Sequence, residues 1–233
     1  MRAHLLRITD AGRRNMLFHV PMTELYDLWA KCHKETDYAL GLLAMNHFYN
    51  FGRQISPIGS TKLLSLCIRC KQYDEAIQLL KHSNAWLQEP PSLYLIYTLM
   101  NILFVRAEYH KVRLCFKYIR ENWKLKVRPR LYDITIKSCL LMPKYPLQEA
   151  LIIYNDSQLM DVYLPESTHF TLLNCTLTLY NNGGSDADKE FYWNTMRHIR
   201  GRLEMESLMA CDKFALMPKT LDALSALDKI LSQ

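Results

Sequence analysis

Residues 91–123 read PSLYLIYTLMNILFVRAEYHKVRLCFKYIRENW, and this stretch decides the fold. From Ser92 to Val105 apolar side chains recur three and four positions apart, interrupted only by polar residues such as Thr98 and Asn101. That spacing draws one apolar stripe along a helix, whereas a half-buried strand would alternate. A tight turn follows, and then Val112, Cys115, Phe116 and Ile119 share a second helical face. The stretch predicts a hairpin, with helix A over 92–105 and helix B over 108–123. Pro91 stands just ahead of helix A, where a missing amide hydrogen leaves no bond unmade.

The hairpin recurs on both sides. The segments Asp37-Tyr38-Ala39-Leu40, Asp74-Glu75-Ala76-Ile77, His110-Lys111-Val112-Arg113 and Gln148-Glu149-Ala150-Leu151 each set a small or β-branched residue behind polar ones. Ala39, Ala76, Val112 and Ala150 are 37, 36 and 38 positions apart, and each is followed by apolar residues three and four places on. Pro57, Pro91, Pro129 and Pro165, spaced 34, 38 and 36, mark the helix A starts in parallel. A small residue early in helix B lets the two helices approach closely. Two amphipathic helices alone bury little, so neighbouring pairs must stack.

Composition agrees with an all-α chain. Apolar residues make up 49% and charged residues 22%, which is globular. Only 7 of 233 residues are Gly, fewer than the turns of a sheet-rich fold would want. The apolar run from Leu93 to Val105 is shorter than the roughly 18 to 20 residues of a bilayer span, so no membrane helix is expected. Seven cysteines scattered through apolar segments predict buried free thiols and a reducing compartment.

A helix pair repeated at this period could be tetratricopeptide or pentatricopeptide. The first wants a Trp-x-x-Leu-Gly-x-x-Tyr pattern, and no helix A here has that Gly. Pro165-Glu166-Ser167-Thr168-His169-Phe170-Thr171-Leu172-Leu173, and Pro129 to Ile136 with Thr135 in the equivalent place, resemble the pentatricopeptide repeat boundary. The resemblance covers residues 22–202, in four clear units and a fifth, divergent one with Phe191 where a small residue is expected. The expected fold is an α-solenoid of four to five helix-turn-helix repeats. A basic N-terminal segment over 1–21 precedes it, with Arg2, Arg7, Arg13 and Arg14 against Asp10, and it reads either as an organellar targeting segment or as an ordinary arm. A helical cap over 203–233 follows, where Pro218 opens a segment with Leu221, Leu224, Leu227, Ile230 and Leu231 on one side. Asn181-Asn182-Gly183-Gly184-Ser185 is the expected turn of the last helix pair.

Members of that family are typically organellar, and helix A lines a concave face that binds single-stranded RNA one base per repeat. The resemblance implies base-facing roles for Tyr97, paired with Arg130, for Thr135, paired with Glu166, and for Thr171. Glu166, Arg130 and Ser92 stand where the family has Asp or Asn, which argues against a readable base code.

Charge supplies a second route to RNA. The net charge is +6, and Lys111, Arg113, Lys117, Arg120, Lys124, Lys126, Arg128 and Arg130 face a single acid, Glu121, in that stretch. Arg113, Lys117, Arg120 and Lys124 are four, three and four apart, on one helix face opposite Val112, Cys115, Phe116 and Ile119. Such a face is self-repelling, which a polyanion would relieve; the bland reading is a solvated surface. Arg197, His198, Arg200 and Arg202 form a shorter cluster.

Little points to catalysis. Cys67-Ile68-Arg69-Cys70 is a lone C-x-x-C, better read as two packed thiols than as half a zinc site. Asn174-Cys175-Thr176 is a formal glycosylation acceptor inside an expected helix and carries no weight. A glycine-rich phosphate loop, a G-x-S-x-G elbow, an H-E-x-x-H helix and clustered carboxylates are all missing. The expectation is a non-catalytic scaffold without cofactor, metal or small-molecule substrate, located in the mitochondrial matrix. Its partners would be RNA, above all ribosomal RNA, and neighbouring protein subunits of the mitochondrial ribosome or its assembly intermediates. The alternative is a purely protein-binding helical scaffold in an organellar or cytosolic complex.

Overall fold

The computed structural model describes residues 2–14, 16–53, 55–82, 89–123, 125–143, 146–182 and 185–209. Among them the regular structure is helical, with no β-strand. The α-helices are α1 (Arg2–Arg13), α2 (Met22–Ala30), α3 (Glu35–Asn50), α4 (Pro57–Arg69), α5 (Tyr73–Lys81), α6 (Leu93–Val105), α7 (Tyr109–Glu121), α8 (Pro129–Leu140), α9 (Pro146–Leu159), α10 (Glu166–Asn181) and α11 (Asp186–Met209), with a 3-10 turn at Leu17–His19. The chain divides into two compact units, Met1–Leu125 and Lys126–Gln233. Lys124, the Gly183-Gly184 turn and the expected cap beyond Met209 lie outside the described residues.

The hairpin read from 91–123 is α6 and α7. Helix α6 buries Ile96, Leu99, Met100 and Leu103, and α7 buries Val112, Cys115, Phe116 and Ile119. Proline marks helix starts as expected: Pro57 and Pro129 occupy the first turns of α4 and α8, and Pro165 is the N-cap of α10. Pro21, as N-cap of α2, extends that series by one unit. Ser56 caps α4 through its hydroxyl, which accepts the Gly59 amide at 3.3 Å.

Helix ends repeat too. After α4, Lys71 takes a left-handed conformation (φ 58), its amide bonds Ile68 O at 3.1 Å and that of Gln72 bonds Cys67 O at 2.8 Å. Thirty-six residues later Ala107 has the same φ, with Ala107 N to Phe104 O at 3.0 Å and Glu108 N to Leu103 O at 2.9 Å. This is the six-to-one and five-to-two closure usually made with glycine. Here a lysine and an alanine make it, which is how a glycine-poor chain still turns sharply.

In unit 1 the pairs α2–α3, α4–α5 and α6–α7 pack internally, α2 meets α4, α4 meets α6, and α5 meets both α6 and α7. In unit 2 the pairs are α8–α9 and α10–α11, with α8 meeting α10 and α9 meeting α10. Hydrogen bonds join successive first helices at one register. The fifth residue of α2, Tyr26, bonds Ser56 Oγ at 2.8 Å; that of α4, Thr61, accepts the Ser92 amide at 3.1 Å; and that of α8, Asp133, accepts from the Thr168 hydroxyl at 2.6 Å.

Ala76, Val112 and Ala150 are fully buried, as close approach requires. Ala39 is exposed, which corrects its assignment. The small residue of that pair is Gly41, two positions on. A Cβ there would lie 3.0 Å from Leu66 Cδ2 and 3.2 Å from Trp29 Cδ1, and the Trp29 indole donates to Gly41 O at 3.1 Å. Phe191 is 42% exposed, and the packed face of α11 begins only at Thr195 and Met196.

The N-terminal basic stretch is not a loose arm. Helix α1 packs on α2 and α3 and buries Ile8 completely. Its polar side is tied down as well: Glu24 of α2 receives Arg7 and His4, each at 2.6 Å.

Candidate nucleic-acid interface

The residues singled out by charge separate into three groups. Lys111 belongs to packing. Its ammonium lies 2.6 Å from Asp74 Oδ1 at the start of α5 and 2.7 Å from Glu108 Oε2, and Glu108 also holds Arg106 at 2.6 Å. The Arg106 guanidinium in turn covers the Tyr73 ring at 5.1 Å. Hydrogen bonds to Asp74 and Glu108 raise the Lys111 pKa, and those from Lys111 and Arg106 hold Glu108 below the usual carboxylate range. Lys111 thus ties α5 to α7.

The second group is the outer face of α7. Lys117 is exposed while Arg113 and Arg120 are half-buried, opposite the buried Val112, Cys115, Phe116 and Ile119. Glu121 shares this face and approaches Lys117 at 3.9 Å, too far and too exposed to neutralise it firmly. The third group, Lys126, Arg128 and Arg130, is exposed around the first turn of α8, where Arg128 is the N-cap and no carboxylate occupies the first turn. It belongs to unit 2, the first two to unit 1.

The base-facing expectations fare less well. Thr135 is fully buried and its hydroxyl donates to Leu131 O at 2.6 Å, so no base edge can reach it as the helix stands. The physical reason is register: Thr135 is the seventh residue of α8 and faces the core, while Asp133, two before it, lies at the polar edge with Thr168 and Lys137. Thr171 is half-buried, with its hydroxyl bonded back to Ser167 O at 2.7 Å. Tyr97 is half-buried in α6, and Glu166 opens α10, where its charge suits the helix N-terminus.

Two buried features complete the inventory. Cys67 and Cys70 are both buried, and burial pushes the Cys67 thiol up to about 12, with its sulfur 3.8 Å from the Tyr38 hydroxyl of α3. These are packed thiols.

Arg202, one of the shorter basic cluster, is only 3% exposed. Its guanidinium pairs with Glu206 and donates to Tyr154 O at 2.7 Å, Ser157 Oγ at 3.0 Å and Val162 O at 3.1 Å, while lying 4.3 Å over the Tyr154 ring. The Tyr154 hydroxyl meets His169 Nδ1 at 2.9 Å, His169 Nε2 lies 3.2 Å from Glu206, and Glu206 also accepts the Leu164 amide at 2.8 Å. The Arg-x-x-x-Glu spacing was the one signal of this network in the sequence. Tyr154 and His169 are fully buried, so the network clamps α11 onto α9 and the α9–α10 loop instead of presenting a reactive group.

A comparison with models of known protein families finds no match, and a comparison with curated proteins finds none either. Among the described residues no helix is long and apolar enough to cross a membrane.

Proposed function

We propose that this chain is a non-catalytic, pentatricopeptide-like α-solenoid that serves as an RNA-associated scaffold of a mitochondrial ribonucleoprotein, the mitochondrial ribosome or one of its assembly intermediates. The helix-pair period, the proline register and the packing, within each unit, of one first helix on the next support the solenoid. The observation that carries the RNA reading is the outer face of α7, where Arg113, Lys117 and Arg120 share one side of the helix opposite its buried stripe. Charge of one sign on a rigid helix attracts phosphate without reading sequence. With Thr135 buried, the base-code route loses a reader, and backbone contact becomes the better account.

The test is location and company. A tagged full-length chain should reside in the mitochondrial matrix, sediment with large ribonucleoprotein particles and shift to light fractions after ribonuclease. Particles that stay heavy after ribonuclease would favour the second reading, a scaffold that binds protein only. That reading has its own support in unit 1, where Ile58, Tyr94 and Val105 are 65%, 75% and 78% exposed.

A further inference from the structure

The second helices of unit 1 do not follow one another evenly. Helix α7 is fastened to α5 at both ends of α5. Lys111 lies 2.6 Å from Asp74 in its first turn, and Asn122 Nδ2 and Trp123 Nε1 donate to Leu80 O in its last turn, at 3.3 and 3.1 Å. Helix α3 instead packs on α1 and α2, and a cavity of about 230 Å³ lies between it and α5. Leu42 and Met45 of α3, Leu63 of α4 and Leu79 of α5 supply its apolar surface, together with Tyr38. Asn46, Glu75, Gln78 and His82 supply its polar surface, and all four are exposed, so they form the rim.

Charge explains why this seam stays open. Lys111 is the third residue of α7, and the third residue of α5 is Glu75. The first turn of α3 offers it only acids, Glu35 and Asp37. Carboxylates repel where Lys111 and Asp74 attract. The Asp37 carboxylate is turned instead to the amides of His33 and Lys34, at 3.0 and 3.1 Å. Among the described residues Glu75 has no ion-pair partner, whereas its neighbour Asp74 is taken by Lys111.

Size limits what can enter. A cavity of about 150 Å³ with aliphatic walls holds one benzene, and whole small-molecule sites run to about 300 to 1,000 Å³. The space beside Glu75 therefore fits one ring or one branched apolar side chain, as the pocket for an anchor residue at a protein interface does.

We propose that the cavity between α3 and α5 receives one bulky apolar side chain, phenylalanine above all, from a partner polypeptide whose neighbouring lysine or arginine pairs with Glu75. The partner's cation does from outside what Lys111 does between α5 and α7. The site lies within unit 1 and does not depend on the basic face of α7.

The experiment titrates the full chain, with labelled Leu and Met methyl groups, with the capped peptide Ala-Lys-Ala-Ala-Phe-Ala-Ala and follows the methyl resonances. Those of Met45, Leu63 and Leu79 should shift. Exchanging the peptide's Phe for Ala should weaken binding at least tenfold, and exchanging its Lys for Glu at least threefold. In the Glu75→Lys variant, an exposed site where folding is not at stake, the peptide carrying Glu should become the tighter binder. Leu79→Trp, which fills the cavity, should abolish the shifts. Absence of these methyl shifts at millimolar peptide, or an unchanged charge preference in Glu75→Lys, would overturn the proposal. So would free phenethylamine binding as tightly as the peptide, which would make the ligand a small amine, or resonances of Met45 that move with protein concentration alone, which would make it a second copy of this chain.

Discussion

Lys111 and Asp74 form an ion pair of 2.6 Å between α7 and the first turn of α5, and the same ammonium holds Glu108 at 2.7 Å. The most N-terminal cation of the basic stretch is therefore part of how two consecutive second helices pack. Because Asp74 is largely exposed, replacing Lys111 with Gln should destabilise unit 1 by only about 0.2 to 1 kcal/mol in urea titration, with RNA association unchanged. A large loss of RNA affinity would return Lys111 to the phosphate-binding set.

The small residues of the second helices give a register test. Ala76→Trp and Ala150→Trp should each destabilise by about 1 to 3 kcal/mol, because both sites are fully buried between helices. Ala39→Trp should stay within about 0.5 kcal/mol of the parent, since Ala39 faces solvent. Equal sensitivity at all three would restore Ala39 to the packed position and remove Gly41 from it.

Ala107 adopts φ 58, where a Cβ is unfavourable by about 1 to 2 kcal/mol. Ala107→Gly removes that strain at an entropic cost of about 0.5 to 1 kcal/mol. The melting temperature should rise by a few degrees. A fall would mean that the turn after α6 is not left-handed.

Acid should loosen unit 2 through Glu206. Burial raises its pKa, but hydrogen bonds from His169 and Arg202 outweigh that and hold it below the usual carboxylate range. With the folded value depressed, the stabilisation is fully present above the unfolded pKa of about 4.3 and is lost as pH falls through the folded value. Stability measured from pH 7 downward should stay flat with respect to this group until about pH 4 to 5 and then decline, and Glu206→Gln should flatten the decline. Arg202→Met should destabilise by about 3 kcal/mol or more, because it removes the buried guanidinium that Glu206, Tyr154 O, Ser157 and Val162 O share. A pH profile identical in Glu206→Gln would exclude the carboxylate as the acid-sensitive group.

Local pattern accounts for what the sequence made legible. The α6–α7 hairpin falls within two residues of its expected ends, because both helices carry a full apolar stripe and a sharp turn separates them. Three features needed contacts distant in the chain. Gly41 rather than Ala39 is packed because Trp29 and Leu66, from other helices, press on it. Thr135 points inward because counting from Pro129 makes it the seventh residue of α8, a phase set by the core rather than by the motif. Arg202 is buried by Tyr154 and Ser157, partners 48 and 45 residues upstream.

The central claim is that the α7 face contacts RNA phosphates without reading bases. Its most direct test is the slope of log affinity against log salt for a single-stranded RNA, compared between the parent and the R113Q/K117Q/R120Q variant. Three lost phosphate contacts, at about 0.7 each, should make the slope shallower by about 2, and the loss should be the same for unrelated RNA sequences. A slope and affinity equal to the parent's would contradict the account.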